Sequence, residues 1–174
     1  ITRFPIFPVL RDAFHHTRNV TYLRFMLHHM LEYAAAYPID TFIDTNTVEG
    51  WINHYHVARP WYWCMVPGRI TQMSATIAQI RNHPGVTDNE LLELIHRLFQ
   101  ETAYLRADVK RWIDRRHNGG CAMIRTLATA CGLLTDFRAT EEWLDFDAKL
   151  LTQYIDEAFY PDGQCIEQTT GYSI

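Results

Sequence analysis

The sequence of residues 143–172 is WLDFDAKLLTQYIDEAFYPDGQCIEQTTGY, which combines a periodic apolar pattern with a polar, turn-rich end. Apolar side chains recur at steps of three or four residues up to Phe159, which predicts an amphipathic helix. Pro161-Asp162-Gly163 then predicts a tight turn, because proline fixes φ and glycine accepts a positive φ without steric cost. The stretch is therefore a long helix, a turn and a polar segment that ends at Tyr172.

A second polar segment, Arg115-Arg116-His117-Asn118-Gly119-Gly120, precedes the small and apolar stretch 121–134. An almost uncharged stretch of this length predicts a helix that is buried on most sides. Polar segments at the ends of successive helices can converge on one face of a helical array. We therefore expect the functional residues in these two polar segments.

The rest of the chain is also predicted to be helical. Apolar periodicity, caps and breaks predict helices at 19–37, 67–82, 87–105, 108–116 and 140–159. Residues 1–16 are expected to form an extended lead-in with a short helical turn, because they contain two prolines. The sequence shows no strand pattern and no linker. We predict an all-α fold of six or seven helices in antiparallel hairpins, as a single helical domain over residues 1–174.

Composition excludes several classes of protein. The net charge is −4, with 16 Lys and Arg against 20 Asp and Glu, whereas a nucleic-acid-binding protein normally carries a basic patch. No apolar run approaches the roughly 18 residues of a membrane span. His54 and His56 could suggest a metal site, but no third ligand has a matching spacing, and the four cysteines form no CxxC pair. We expect no metal and no cofactor.

Residues 143–172 resemble the heparinase II/III-like polysaccharide lyases. In that family a helix ends in a segment that contains an Asp-Gly pair, a glutamate, a serine and a catalytic tyrosine, and the residues here that match this segment are Asp162, Gly163, Glu167 and Tyr172, with Gln168 directly after the matched glutamate. A loop asparagine precedes the family tyrosine by roughly fifty residues, and Asn118 stands 172 − 118 = 54 positions before Tyr172. Trp61-Tyr62-Trp63 with Pro67-Gly68-Arg69 is similar to the family's Trp…Gly-x-Arg segment. Departures from the pattern are Thr169, Thr170 and Ser173, where the family usually has serine, proline and histidine.

The resemblance implies a fold, a location and a ligand. The fold would be an incomplete (α/α) toroid, and the chain would be a fragment of a longer one, since the β-sandwich part of the family is absent. It implies a periplasmic or secreted protein, although the sequence contains no signal peptide. The expected partner is an acidic polysaccharide or oligosaccharide, and neither the glycan nor the oligomeric state follows from the sequence.

The implied reaction is β-elimination at a uronic acid, in which a base removes the C5 proton and the C4–O bond breaks. Asn118 would neutralise the C5 carboxylate, although an asparagine before a helix can equally be an N-cap. Tyr172 would be base, acid or both, and His117 would assist as a second acid or base. The expected substrate-binding residues are Arg116, Trp61, Trp63, Arg69 and Gln168, and Glu167 is expected to brace the loop.

Two other functions remain open at this point. A helical carbohydrate-binding or structural module without turnover fits the altered positions at 169, 170 and 173. An all-α glycoside hydrolase would need two carboxylates across a cleft. Glu167 paired with Asp162 or Glu142 is a poor candidate, because Glu167 and Asp162 lie in the same turn-rich segment.

Overall fold

The structure is a computed structural model that describes residues 3–38, 65–116, 118–164 and 166. Within these ranges the fold is all-α, as predicted, with six helices and no β-strand. The helices are α1 (Phe7–Thr17), α2 (Val20–Ala36), α3 (Met65–Ile80), α4 (Asp88–Asp114), α5 (Asn118–Leu133) and α6 (Ala139–Ala158).

The chain divides into two compact units, Ile1–Glu101 and Thr102–Ile174, with the division inside α4. In the first unit α1 packs against α2 and α3. In the second unit α5 packs against α6. The prediction of one helical domain that is a fragment of a longer chain stays a prediction.

Local signals place most helix ends where they were expected. The Asn19 side chain accepts a hydrogen bond of 3.0 Å from the Thr21 amide at the start of α2. The capping box is confirmed: the Thr87 amide donates to Glu90 Oε2 at 2.9 Å, and the Glu90 amide donates to Thr87 Oγ1 at 3.3 Å.

Two expectations about helices were wrong. Residues 7–17 form the three-turn helix α1 rather than a short turn, because Pro8 falls in its first turn, where a missing amide hydrogen costs nothing, and Phe7 and Phe14 are buried. The expected break near 105–108 is absent, because neither glycine nor proline interrupts the apolar stripe that includes the buried Leu105 and Val109. The result is the single 27-residue helix α4.

The second unit contains an antiparallel hairpin of α5 and α6. The two helices are joined by residues 134–138, where the buried Thr140 hydroxyl donates to the Leu134 carbonyl at 2.6 Å. The prediction that the 121–134 helix is buried on most sides was wrong: one face of α5 is buried and the opposite face is exposed, namely Cys121, Ala122, Arg125, Ala128, Thr129 and Gly132. Small side chains made this face appear apolar in the sequence.

Candidate functional site

The polar segment between α4 and α5 is a tight connection. Arg116 has a positive φ of 54°, and its amide donates to the Ile113 carbonyl at 2.7 Å, which closes the end of α4. Helix α5 then begins at Asn118, so the asparagine does lie at the start of the apolar helix. The side chain of Asn118 lies outside the described part of the structure, as does His117.

Gly120 permits a close approach between α5 and the end of α4. A Cβ atom at this position would lie 2.6 Å from Ile113 Cδ1 and 3.3 Å from the Ile113 backbone nitrogen. A larger residue would therefore require the end of the Ile113 side chain to move and would press against the backbone at the end of α4. The glycine therefore fixes where the segment that carries Asn118 can lie.

The segment after α6 forms the turn that Pro161-Asp162-Gly163 predicts. The Gly163 amide donates to the Tyr160 carbonyl at 2.8 Å, and Gly163 has a φ of 85°. The Gln164 amide donates to Asp162 Oδ1 at 3.0 Å. The Ile166 amide donates to the Ala158 carbonyl at 2.8 Å, which turns the chain back onto the end of α6.

Five side chains form a network of hydrogen bonds and ion pairs between the end of α4, the connection to α5 and the end of α6. We call this network the 110–157 relay; its members are Lys110, Asp114, Gln153, Glu157 and Arg116. Lys110 Nζ lies 2.7 Å from both carboxylate oxygens of Asp114. Gln153 Nε2 on α6 donates to Asp114 Oδ1 and to Glu157 Oε1, each at 3.2 Å. Arg116 Nε lies 3.8 Å from Glu157 Oε2. The start of α5 and the end of α6 therefore lie at the same end of the second unit.

The relay also sets local electrostatics. Hydrogen bonding from Lys110 is the main cause that lowers the pKa of Asp114, with a smaller contribution from Gln153. A deprotonated Asp114 accepts hydrogen bonds only, which suits its two donors. The relay therefore has a cation at each end, a carboxylate next to each cation, and Gln153 between the two carboxylates.

Among the other predicted site residues, the structure describes Arg116 and Arg69 but not the remaining six. Arg116 lies at this end of the second unit and is half-exposed. Those outside the described residues are Trp61, Trp63, His117, Glu167, Gln168 and Tyr172.

Arg69 is the exception, and its predicted role in substrate binding is not supported. Its side chain is fully buried in the first unit, with Nε 2.9 Å from Glu101 Oε1 and 2.7 Å from Oε2. Arg97 Nε donates to the same Oε1 at 2.9 Å. The guanidinium carbons of Arg69 and Arg97 lie 4.7 and 5.2 Å from the centre of the Tyr33 ring. A guanidinium so placed stabilises the core of this unit rather than contacting a sugar.

The buried Tyr33 completes this cluster. Burial raises its pKa to about 12, against the opposing effect of Arg69. The phenol is therefore neutral at neutral pH. The sequence contained a sign of the cluster that was missed, because Glu101 falls on the apolar stripe of Leu94, Leu98 and Leu105.

Asp147 is a second buried acid that the sequence analysis missed. It is 4% exposed and lies on the face of α6 that buries Trp143, Leu150 and Tyr154. Its Oδ1 atom has no hydrogen-bond partner among the described residues, and burial raises its pKa to about 7. The pKa of the Cys131 thiol is raised to about 11, mainly by burial and to a smaller extent by the charge of Asp147.

Among the described residues, no group of three or more His, Cys, Asp or Glu side chains is placed to hold a metal ion. No helix in the described ranges is long and apolar enough to cross a membrane.

Comparison with protein families decides the relationship. The family model described as heparinase II/III N-terminus matches residues 1–174. The chain belongs to this family. The predicted resemblance is confirmed, and the heparinase II/III N-terminus extends over the whole chain rather than the part that carries the 118–172 motif. No curated protein and no solved structure gave a significant match to this heparinase II/III N-terminus.

Proposed function

We propose that this chain is the helical portion of a polysaccharide lyase that cleaves uronic-acid-containing glycans by β-elimination. The family membership gives the general class, a heparinase-like protein. The observation that carries the proposal is the relay, in which Arg116 contacts Glu157 and Gln153 contacts Asp114. These contacts hold the start of α5 beside the end of α6, which are the two places from which the proposed catalytic residues extend.

The length of the second polar segment supports the proposal that it shares one substrate with the first. Ile166 bonds to Ala158, the neighbour of the residue that contacts Arg116. Six further residues lead from Ile166 to Tyr172, and an extended chain of that length spans roughly 20 Å. A segment of this length is compatible with the position that the proposal gives to Tyr172, at the first turn of α5.

The proposed mechanism begins at the carboxylate of the sugar. The C5 proton is barely acidic beside an ionised carboxylate, because its removal would place a second negative charge next to the first. The Asn118 amide donates a hydrogen bond to that carboxylate and lets the charge delocalise in the transition state. The positive end of the α5 dipole lies at the same place and favours the same charge.

Tyr172 removes the C5 proton in this proposal, and the same group or His117 protonates the leaving C4 oxygen. A phenol has a pKa of about 10 and is mostly protonated at neutral pH. Positive neighbours lower it, and Arg115 and Arg116 stand next to the Asn118 segment. Both arginines are exposed, and Arg115 lies 5.6 Å from the centre of the Trp112 ring.

Arg116, Trp61, Trp63 and Gln168 are proposed to bind the acidic glycan, with Glu167 bracing the loop that precedes Tyr172. Because the chain carries a net charge of −4, local arginines rather than overall charge must attract the substrate. A location in the periplasm or outside the cell, where such glycans occur, is part of the proposal.

The test is to incubate the protein with heparan sulfate, chondroitin sulfate and alginate and to follow the ultraviolet absorbance of the C4–C5 double bond. We expect turnover on at least one glycan, and a loss of about 100-fold or more in Tyr172→Phe and in Asn118→Ala. The matched controls are Tyr160→Phe, in the exposed turn after α6, and Asn89→Ala, in the exposed first turn of α4. Both controls should keep wild-type turnover.

Each other outcome contradicts the proposal in its own way. Glycan binding without a rise in absorbance would identify a sugar-binding module. New reducing ends without absorbance would identify a hydrolase. Turnover that survives both Tyr172→Phe and Asn118→Ala would place the catalytic groups elsewhere.

A further inference from the structure

Gln153 occupies a distinctive position in the 110–157 relay. Its amide nitrogen has two hydrogens and donates to two carboxylates, Asp114 Oδ1 and Glu157 Oε1, each at 3.2 Å. Asp114 belongs to the end of α4, and Glu157 belongs to the last turn of α6. Without a donor between them, these two like charges would repel each other.

The outer members of the relay compensate the two carboxylates. Lys110 binds Asp114 one turn earlier on α4, and Arg116 contacts Glu157 from the connection to α5. Lys110 and Arg116 balance Asp114 and Glu157, so the five side chains are neutral as a set. Each exposed ion pair contributes little to stability by itself. Their shared effect is geometric, because the relay joins residues 110–116, at the end of α4 and in the connection to α5, to residues 153–157 of α6.

We propose that Gln153 is a positioning residue that fixes the Asn118 segment against the end of α6. This inference rests on the proposed function, since its purpose is to keep the amide of Asn118 and the segment leading to Tyr172 at a constant separation. Gln153 does not touch the substrate in this proposal. Elimination needs both groups at the same sugar ring, and small errors in placement reduce the rate of such reactions strongly.

The decisive variant is Gln153→Glu, which keeps the shape of the side chain and replaces the donor with a third carboxylate. We expect amide hydrogen exchange in residues 115–120 and 159–166 to become about tenfold faster, because the two segments separate. In the turnover assay kcat should fall about tenfold, while KM changes less than twofold. The midpoint of thermal unfolding should stay close to that of the wild type, because the relay is at the surface.

A rescue variant separates positioning from a general effect of charge. In the double variant Asp114→Asn/Gln153→Glu, the donor and the acceptor of the bond between α4 and α6 change places, and the total charge is that of the wild type. We expect it to restore this bond, slow exchange and part of the lost kcat, whereas the carboxylate at position 153 still repels Glu157. The control is Thr152→Ala, next to Gln153, whose hydroxyl donates to the Ala148 carbonyl of its own helix at 3.1 Å.

The two measurements keep this inference distinct from the proposed function. Unchanged exchange in Gln153→Glu overturns the relay as a positioning element, whatever the activity. Faster exchange with unchanged kcat overturns the positioning role in the reaction. A wild-type chain that forms no unsaturated product contradicts the proposed function, whereas hydrogen exchange still tests the relay.

Discussion

Arg69 and Arg97 share one carboxylate: their Nε atoms lie 2.9 Å from the same Oε1 atom of Glu101. Arg69 and Glu101 are fully buried, and Arg97 is 3% exposed. Charges that are removed from water in this way are stable only while they remain together. Glu101 is therefore the residue on which the core of the first unit depends electrostatically.

Replacement of Glu101 should destabilise the protein strongly. Glu101→Gln keeps the size of the side chain and removes the charge that two buried guanidinium groups share. Breaking a buried pair costs about 3–5 kcal/mol, and we expect a fall of this size in the free energy of unfolding, measured by chemical denaturation at pH 7. The control is Glu93→Gln on the same helix, where the exposed side chain should change stability by less than about 0.5 kcal/mol. Equal stability of the two variants would show that Glu101 does not hold the pair.

Asp147 should make stability decrease with pH between about 4 and 7. Its pKa is raised to about 7 in the folded state, against 3.8 for an unperturbed aspartate. Below about pH 4 the carboxyl group is protonated in both the folded and the unfolded state, so it does not lower the free energy of unfolding. As pH rises toward 7 only the unfolded state loses the proton, so folding becomes less favourable until the folded state also ionises.

The variant Asp147→Asn removes this dependence. The free energy of unfolding of Asp147→Asn minus that of the wild type should increase by on the order of 4 kcal/mol between pH 4 and pH 8, because each pKa unit corresponds to about 1.36 kcal/mol. Chemical denaturation at pH 4, 5.5 and 8 measures the change. Asp145→Asn, at an exposed position on the same helix, should show no such trend. A constant difference between Asp147→Asn and the wild type at all three pH values would refute the assignment.

Two glycines of α5 should respond in opposite directions to alanine. Gly120→Ala places a methyl group 2.6 Å from Ile113 Cδ1, in a buried site with little room to adjust, and should cost about 1–3 kcal/mol. Gly132→Ala meets nothing within 4 Å and should stabilise the helix by up to about 1 kcal/mol. Thermal unfolding of both variants measures the difference. A stabilising effect of Gly120→Ala would show that the close approach at the start of α5 is not required.

Local patterns predicted the parts of the fold that depend on neighbouring residues. The capping box of Thr87 and Glu90, the end of α2 before Pro38 and the turn at Pro161–Gly163 all follow from interactions over a few positions. Burial could not be predicted in the same way. Arg69 is paired with Glu101, 32 positions away. Asp147 is buried beside the apolar side chains of α6, although a charged residue is ordinarily expected on the exposed face of a helix.

The candidate site shows the same limit. The sequence motif identified the two polar segments and their order along the chain. The contacts that join the ends of α4 and α6 come from Gln153 and Glu157, which carry no motif and are ordinary polar residues of an amphipathic helix. The meeting of the Asn118 and Tyr172 side chains remains a prediction.

The most direct test of that meeting is a double-mutant cycle on kcat/KM for the glycan that gives the most unsaturated product. Asn118→Ala and Tyr172→Phe are measured singly and together, and all variants are first compared with the wild type by circular dichroism. If amide and phenol act on one sugar ring in one transition state, the double variant should lose little more than the worse single variant. If the two losses multiply as independent effects, the residues do not act together and the proposed site is wrong.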